Sequence, residues 1–177
     1  MDTHKPLLCL KNVLDNFISK FLSAETEIKD VLYRYASMDM YQSLSLLLLD
    51  YRDLVEKHIY KLNNIAASEK ISSVAMASSV IGAMINENEE TLNKCKYQEV
   101  KDACFLAAIQ NMIHFKISSY GTACTYANAL EMEGIAAFFH QAVKDEKYFD
   151  ERLTHLAKHE VYNYAIEPLS QPDQIIL

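Results

Sequence analysis

Several ionisable side chains interrupt the apolar stripes that recur at helical spacing along this sequence. They are Glu25, Tyr51, His58, Lys116, Glu146 and Asp150. Carboxylates and imidazoles that meet inside a protein are common ligands of iron, manganese or zinc. A lysine that meets the same carboxylates neutralises them without a metal. The sequence therefore poses one chemical question, which is whether a metal ion or Lys116 balances the charge of these carboxylates.

The stripe positions make unpaired carboxylates costly. An isolated charge in a low-dielectric core must be paired, protonated or metal-bound, unless the side chain lies at the edge of the stripe and reaches water. Glu146 and Asp150 are four residues apart, so on one helix they repel each other unless a cation lies nearby. If the helices that carry Lys116 and Glu146 are neighbours, Lys116 supplies that cation to Glu25, Glu146 and Asp150.

The elements that must position these residues are all predicted to be helices. Apolar periodicity predicts five, over about residues 7–36, 39–67, 70–92, 98–131 and 134–165. Prolines occur only at positions 6, 168 and 172, and no alternating β-branched run marks a strand. The pattern therefore predicts an all-α protein.

The lengths of these helices favour one architecture. Helices of about 30 residues reach about 45 Å, so they can pair along their whole length. Two pairs with tight turns, joined by one crossover that contains the short helix, predict a ferritin-like four-long-helix up-down bundle. A cytokine-like bundle would need two long crossovers. We expect a single helical domain over residues 1–167 and a C-terminal tail over residues 168–177, because Pro168 cannot continue the last helix.

Composition excludes several classes of function. The chain of 177 residues carries a formal net charge of −7, which disfavours binding to nucleic acid or to an anionic membrane. Its N-terminal stretch lacks the long apolar core of an export or membrane-spanning signal, so a cytoplasmic protein is expected. The four cysteines form no CxxC pair and are expected to be reduced. Neither a nucleophile with a local base nor a glycine-rich phosphate loop indicates an enzyme.

A second metal-ligand pattern lies near the C-terminus. Glu151, His155 and His159 follow one another at helical spacing, which a surface zinc ion could use. They point away from the apolar stripe, and we therefore interpret them as a solvated helix face.

Four consecutive leucines at positions 46–49 cover more than one face of a helix. Leu46 and Leu49 would be exposed on an isolated four-helix bundle and need a cover, either from the short helix or from a second subunit. We expect a homodimer.

The order of motifs resembles the YciE/YciF-type ferritin-like family of bacterial stress-associated proteins. The similar stretches are "AETEI", "KHIYKL", "AMASSVIGAM", "AAIQNMIHFKISSYGTACTYA" and "AVKDEKYFDERLTHLAKHEVYNYA". The resemblance implies four long helices with additional short ones, a dimer, a di-metal site and no established reaction.

This chain departs from the family at several of the implied ligand positions. Glu25, Glu146 and Asp150 match candidate metal ligands. Ile113 and Lys116 stand where the family pattern has glutamates, and Tyr51 stands where the family tends to have histidine. The resemblance thus implies a degenerate metal site, in which Lys116, His114 and Tyr51 balance the charge of the remaining acids. No cofactor is expected, and iron or manganese is the metal if the residual site is occupied.

These observations predict a non-catalytic ferritin-like protein with a stress-related role. One alternative is a metal-dependent oxidase or iron-handling protein that uses Glu25, Glu146 and Asp150. Another is a protein that engages a partner through its helix faces or its C-terminal "QIIL".

Overall fold

The computed structural model describes residues 6–38, 40–71 and 79–166, and all regular structure within these ranges is helical. The helices are α1 (Leu10–Ala36), α2 (Gln42–Ser68), α3 (Ser79–Leu92), α4 (Gln98–Ala129), α5 (Glu133–Leu156) and α6 (Tyr162–Ile166), with a π-helical turn over Ala157–Val161. The predicted all-α class is confirmed. The predicted C-terminal tail lies outside the described residues.

The helices pack as two long pairs. α1 runs along α2, and α4 runs along α5, each pair being antiparallel because a short turn joins its members. The pairs meet where α2 contacts α5 and where α1 contacts α4. α3 lies in the connection between the pairs and packs on α1 and α4. None of the helices in the described ranges combines the length and hydropathy needed to cross a membrane.

Several helix ends differ from the predicted ones. At two of them the residue with positive φ is not glycine, so the sequence does not mark the end of the helix. α2 and α4 are followed by Lys70 (φ 53°) and Glu131 (φ 56°), both in the left-handed region where glycine is the usual signal. The predicted helix over 70–92 therefore does not begin at Lys70, and α3 is described from Ser79. The predicted helix over 134–165 corresponds to α5, the π-helical turn and α6, which follow one another without a gap, and the π-helical turn accommodates one extra residue.

The apolar core consists of two clusters, and each of the four long helices contributes to both. The first cluster contains Ile28, Val55, Ile113 and Phe149 among its buried residues. The second contains Phe21, Leu62, Tyr120 and Ala142. On every one of these helices a charged or titratable residue lies in sequence between the two residues just named. These residues, which we call the polar layer, are Glu25, His58, Lys116 and Glu146.

Candidate functional site

The polar layer lies wholly inside the protein. Glu25 on α1 and Glu146 on α5 are 0% exposed, Lys116 on α4 is 2% exposed and His58 on α2 is 3% exposed. Helical spacing brings two tyrosine hydroxyls to the same place. Tyr51 lies two turns before His58 on α2, and Tyr120 lies one turn after Lys116 on α4.

The Lys116 ammonium lies at the centre of the layer. Its Nζ is 2.8 Å from Glu25 Oε2 and 2.6 Å from Glu146 Oε1. It also donates a hydrogen bond of 3.1 Å to the Tyr51 hydroxyl. Within the described residues, no hydrogen bond of good geometry reaches these two carboxylate oxygens. The attraction of the ammonium is therefore what compensates for their burial.

The other oxygen of each carboxylate accepts a hydrogen bond from a tyrosine. The Tyr51 hydroxyl donates to Glu146 Oε2 at 2.5 Å, and the Tyr120 hydroxyl donates to Glu25 Oε1. Burial, reinforced by the two carboxylates, raises the pKa of both tyrosines well above the ordinary value. Both hydroxyls consequently remain protonated, as hydrogen-bond donation to a carboxylate requires.

His58 connects the buried layer to its rim. Its Nδ1 lies 3.2 Å from Glu25 Oε1 and 3.5 Å from Glu146 Oε1. Its Nε2 lies 3.3 Å from Oδ2 of Asp145, a residue whose side chain is partly exposed. A neutral imidazole donates on one side only, whereas a protonated one donates on both. The ring thus lies between carboxylates on both of its sides.

The two carboxylates are not equivalent. Burial would raise the pKa of Glu25, but Lys116 and His58 outweigh it and lower that pKa to about 2. Burial raises the pKa of Glu146 and the charge of Glu25 adds to this, although Lys116 and His58 oppose the rise. Burial lowers the pKa of Lys116, but the two carboxylates outweigh it and the net shift is upward. The core of the layer is therefore a Lys116–Glu25 ion pair beside a carboxyl that binds a proton more readily.

Two residues expected at this site lie elsewhere. Asp150 Oδ1 accepts a hydrogen bond of 3.0 Å from Gln110 Nε2 and lies 3.2 Å from His114 Nε2. The His114 side chain is 63% exposed. Asp150 therefore lies outside the group that contacts Lys116, and His114 lies beside Asp150 rather than beside Lys116. Asp150 lies about 6 Å further along α5 than Glu146, and there its side chain is 21% exposed.

Three participants were not assigned to the site from the sequence. His58 was visible on the apolar stripe of α2, but its partner Glu25 is 33 residues away and no local pattern joins them. Apolar periodicity counts Tyr120 as an apolar residue because of its aromatic ring, and it gives no information about the partner of its hydroxyl. Asp145 precedes Glu146 in the stretch that resembles the family, but it was not assigned a role at the site.

The layer also offers ligands that suit a metal. Glu25, His58 and Glu146 each present one ligand atom within 4.8 Å of the others. Among the described residues they form the group of side chains that could hold a metal ion. Two carboxylates and an imidazole suit iron, manganese or zinc. However, the Lys116 ammonium faces the same carboxylate oxygens and repels a cation. The residues therefore fit a charge-balanced centre as they stand, and they fit a metal only if Lys116 moves or loses its proton.

The exposed Glu151, His155 and His159 do not form a comparable group in the described residues. The rings of His155 and His159 lie 4.3 Å apart, centre to centre.

The fold and the polar layer define a class of helical protein in which four long helices meet around buried ionisable groups. The chain belongs to the family described as "Domain of unknown function (DUF892)", which matches residues 10–166. It is 27% identical to Protein YciF of Escherichia coli strain K12 over 157 residues, covering 88% of this chain and 95% of that protein. The resemblance noted in the sequence is thereby confirmed.

Two solved structures are similar. The crystal structure of the E. coli stress protein YciF matches with a TM-score of 0.81 at 25% identity, covering 89% of this chain and 99% of that one. YcfI from Rhodopseudomonas palustris matches with a TM-score of 0.80 at 22% identity, covering 86% and 98%. The second match supports the fold alone.

Removal of the ammonium should destabilise the protein strongly. Lys116→Met leaves two carboxylates buried against each other, and a broken buried ion pair typically costs about 3–5 kcal/mol. We expect a loss of that size in the free energy of unfolding, measured by urea denaturation at neutral pH.

Neutralising the carboxylates as well, in Lys116→Met with Glu25→Gln and Glu146→Gln, should recover most of this loss. Lys147→Met, on the exposed side of α5, is the matched control and should change stability by less than about 0.5 kcal/mol. If the triple variant is no more stable than Lys116→Met, charge is not the cause of the loss.

Acid should weaken the Lys116–Glu25 pair. The folded pKa of Glu25, about 2, lies below its ordinary value of 4.5. Its contribution to stability is therefore complete above about pH 5 and is lost as the pH falls towards 2. The raised pKa of Glu146 has the opposite sign, since its protonation on acidification favours the folded state.

Glu146→Gln removes that opposing effect. In this background, acidification from pH 5 to pH 2 should lower the free energy of unfolding by about 3 kcal/mol more than in Glu25→Gln/Glu146→Gln. Parallel pH profiles for the two variants, followed by urea unfolding at each pH, would contradict this account of Glu25.

Proposed function

We propose that this chain is a ferritin-like four-helix bundle in which an internal ion pair has taken the place of a metal centre. It is a non-catalytic protein with a role in stress physiology. The observation that carries the proposal is the position of Lys116 Nζ, 2.8 Å from Glu25 and 2.6 Å from Glu146. The stress-related role is inferred from the relative described as the E. coli stress protein YciF.

The packing of the helices supports the ferritin-like architecture. α1, α2, α4 and α5 contact one another around the polar layer, and α3 lies in the one long connection between the pairs. Ferritin-like bundles build di-metal sites from glutamates and histidines that project inward from facing helices. Here the carboxylates of α1 and α5 and the imidazole of α2 project inward in the same way, and the cation between them comes from α4.

The proposed loss of metal follows from charge. A protonated lysine within ion-pair distance of both carboxylates satisfies them, so a divalent cation would have to displace it against mutual repulsion. The raised pKa of Lys116 makes deprotonation at neutral pH unfavourable. The ammonium of Lys116 therefore stabilises the two buried carboxylates without a cofactor.

The second candidate is an oxidase that depends on iron or manganese, or an iron-handling protein. The observation that favours it is the group formed by Glu25, His58 and Glu146. If such a metal were bound, it would supply redox chemistry, while the tyrosines would orient the carboxylates that hold it.

Metal analysis separates the two candidates. Protein purified without chelator should contain clearly less than one iron, manganese or zinc per chain by mass spectrometry of the elements. A stoichiometric metal would overturn the metal-free proposal and support the second candidate.

The substitution Lys116→Glu tests whether the lysine stands in for a cation. It creates a third buried carboxylate, so Mn²⁺ should bind and raise the melting temperature, because a ligand that binds only the folded state stabilises it. The wild type should show no such increase. Lys147→Glu makes the same change of charge on the exposed side of α5 and should behave like the wild type. If Mn²⁺ affects Lys116→Glu no more than this control, Lys116 does not occupy a cation position.

We also propose that a second copy of the chain covers the exposed leucine of α2. Leu46 is 58% exposed and Leu49 is partly buried, while α3 packs against α1 and α4. Partner-dependent burial of such a residue is a common feature of symmetric dimers.

The dimer has a direct test. Light scattering at micromolar concentration should give twice the chain mass of 20.2 kDa, and Leu46→Asp should halve the measured mass. Leu8→Asp is the control, since Leu8 is 81% exposed and precedes α1. A monomeric wild type would rule out the dimer, and a dimeric Leu46→Asp variant would rule out this interface. The alternative of another protein partner that engages residues 168–177 predicts a pulldown product that is lost when this tail is removed.

A further inference from the structure

Two cysteines that lie nine residues apart meet where α3 gives way to α4. Cys95 lies in the turn after α3, and Cys104 lies in the second turn of α4. Their Sγ atoms are 3.7 Å apart. The sequence contains no CxxC motif, and only the reversal of the chain between the two helices brings these thiols together.

The surroundings of the pair allow a reagent to reach it. Both cysteines are partly buried, so neither is sealed in the apolar core. Cys95 Sγ donates to the Thr91 carbonyl at 3.4 Å, and Cys95 lies outside regular helix. A disulfide requires an S–S distance of about 2.05 Å, so the two sulfurs must approach by less than about 2 Å.

We propose that Cys95 and Cys104 form an oxidation site for hydroperoxides, at which the two thiols become a reversible intrachain disulfide. The Cys95 thiolate attacks one peroxide oxygen, the O–O bond breaks, and Cys95 becomes a sulfenic acid. The other peroxide oxygen leaves as hydroxide and takes up the proton that the Cys95 thiol released, which gives the first molecule of water. Cys104 then attacks the Cys95 sulfur, forms the S–S bond and displaces hydroxide, which takes up the Cys104 proton and leaves as water. The two thiols lose two electrons, and hydrogen peroxide is reduced to two molecules of water.

The assignment of the two roles follows from environment. Burial, together with the hydrogen bond between the two thiols, raises the pKa of the Cys104 thiol. A thiol with a raised pKa forms the attacking thiolate less readily, so Cys104 suits the second, resolving step. Cys95, in the turn, suits the first.

The disulfide would close the segment that joins α3 to α4. This segment includes Tyr97, the residue before α4, and it forms one side of a cavity of about 370 Å³. Asn93, Gln98 and Lys101 line the cavity and lie on or beside the closed segment. Oxidation would thereby fix one wall of this cavity, at the edge of the core rather than in the polar layer.

The test uses the Cys9→Ser variant, because Cys9 is exposed and could link two copies of the chain. Three cysteines remain, and hydrogen peroxide should reduce the number of free thiols from three to one. The intact mass should fall by two hydrogens, and dithiothreitol should restore it. A tryptic digest without reductant should contain the peptide of residues 95–96 linked to that of residues 102–116.

Cys124 provides an internal comparison. It is also partly buried on α4, but its Sγ donates to the Ala136 carbonyl at 3.4 Å rather than facing a thiol. The Cys95 sulfenic acid should be converted to the disulfide, because the second thiol is already in position, whereas oxidation of Cys124 should stop at a sulfenic acid that dimedone captures. A Cys95 sulfenic acid that persists as long as that of Cys124 would contradict the proposal.

Two further variants in the Cys9→Ser background decide the chemistry. Adding Cys124→Ser should leave the linked peptide unchanged, whereas adding Cys104→Ser should stop the reaction at a Cys95 sulfenic acid that dimedone captures. Oxidation of the Cys9→Ser protein should raise its melting temperature by about 5 °C if the disulfide closes the segment without strain. Thiol loss without the linked peptide, links between chains, or a lower melting temperature after oxidation would each overturn the proposal.

Discussion

The pairing of one buried ammonium with two buried carboxylates is the constraint on which the rest of this structure depends. Lys116 reaches its partners across three other helices, since Glu25 lies on α1, Glu146 on α5 and Tyr51 on α2. A displacement of any long helix by one turn, about 5.4 Å, would move its polar group out of the layer and into an apolar cluster. The ion pair therefore fixes the register of all four helices at once.

The division of the core into two clusters follows from the same constraint. Apolar side chains fill the space on either side of the layer, and they can repack at modest cost, because hydrophobic contacts are not directional. The groups of the polar layer cannot repack in this way, because each of them needs a particular partner. A buried ion pair seldom contributes more stability than well-packed apolar residues would. Its contribution here is specificity: the arrangement in which these groups meet has a lower free energy than arrangements in which one helix is shifted along its axis.

The sequence predicted as much of this as local pattern can carry. The all-α class and the approximate helices came from apolar periodicity, and the meeting of Lys116 with Glu25 and Glu146 came from the rule that buried charges need partners. Asp150 was grouped with Glu146 because residues four apart share a helix face. It nevertheless lies about 6 Å further along α5, where it contacts Gln110 and His114 instead of Lys116. Tyr120 was missed because its contact with Glu25 spans 95 residues. The helix ends after α2 and α4 were imprecise because lysine and glutamate occupy positions where glycine would have marked them.

A lysine and a metal ion neutralise carboxylates in physically different ways. A metal is a separate ligand, so its occupancy depends on its concentration, and an apo form retains repelling carboxylates that must take up protons. Lys116 is part of the chain, so its ammonium is present at the same stoichiometry as Glu25 and Glu146 in every folded molecule. It brings one positive charge, less than a divalent ion would, and the raised pKa of Glu146 and the nearby His58 are consistent with this smaller charge. Tyr51 and Tyr120 then supply the hydrogen bonds that the second pair of carboxylate oxygens requires. The features of the layer thus follow from balancing two buried carboxylates with a single fixed cation.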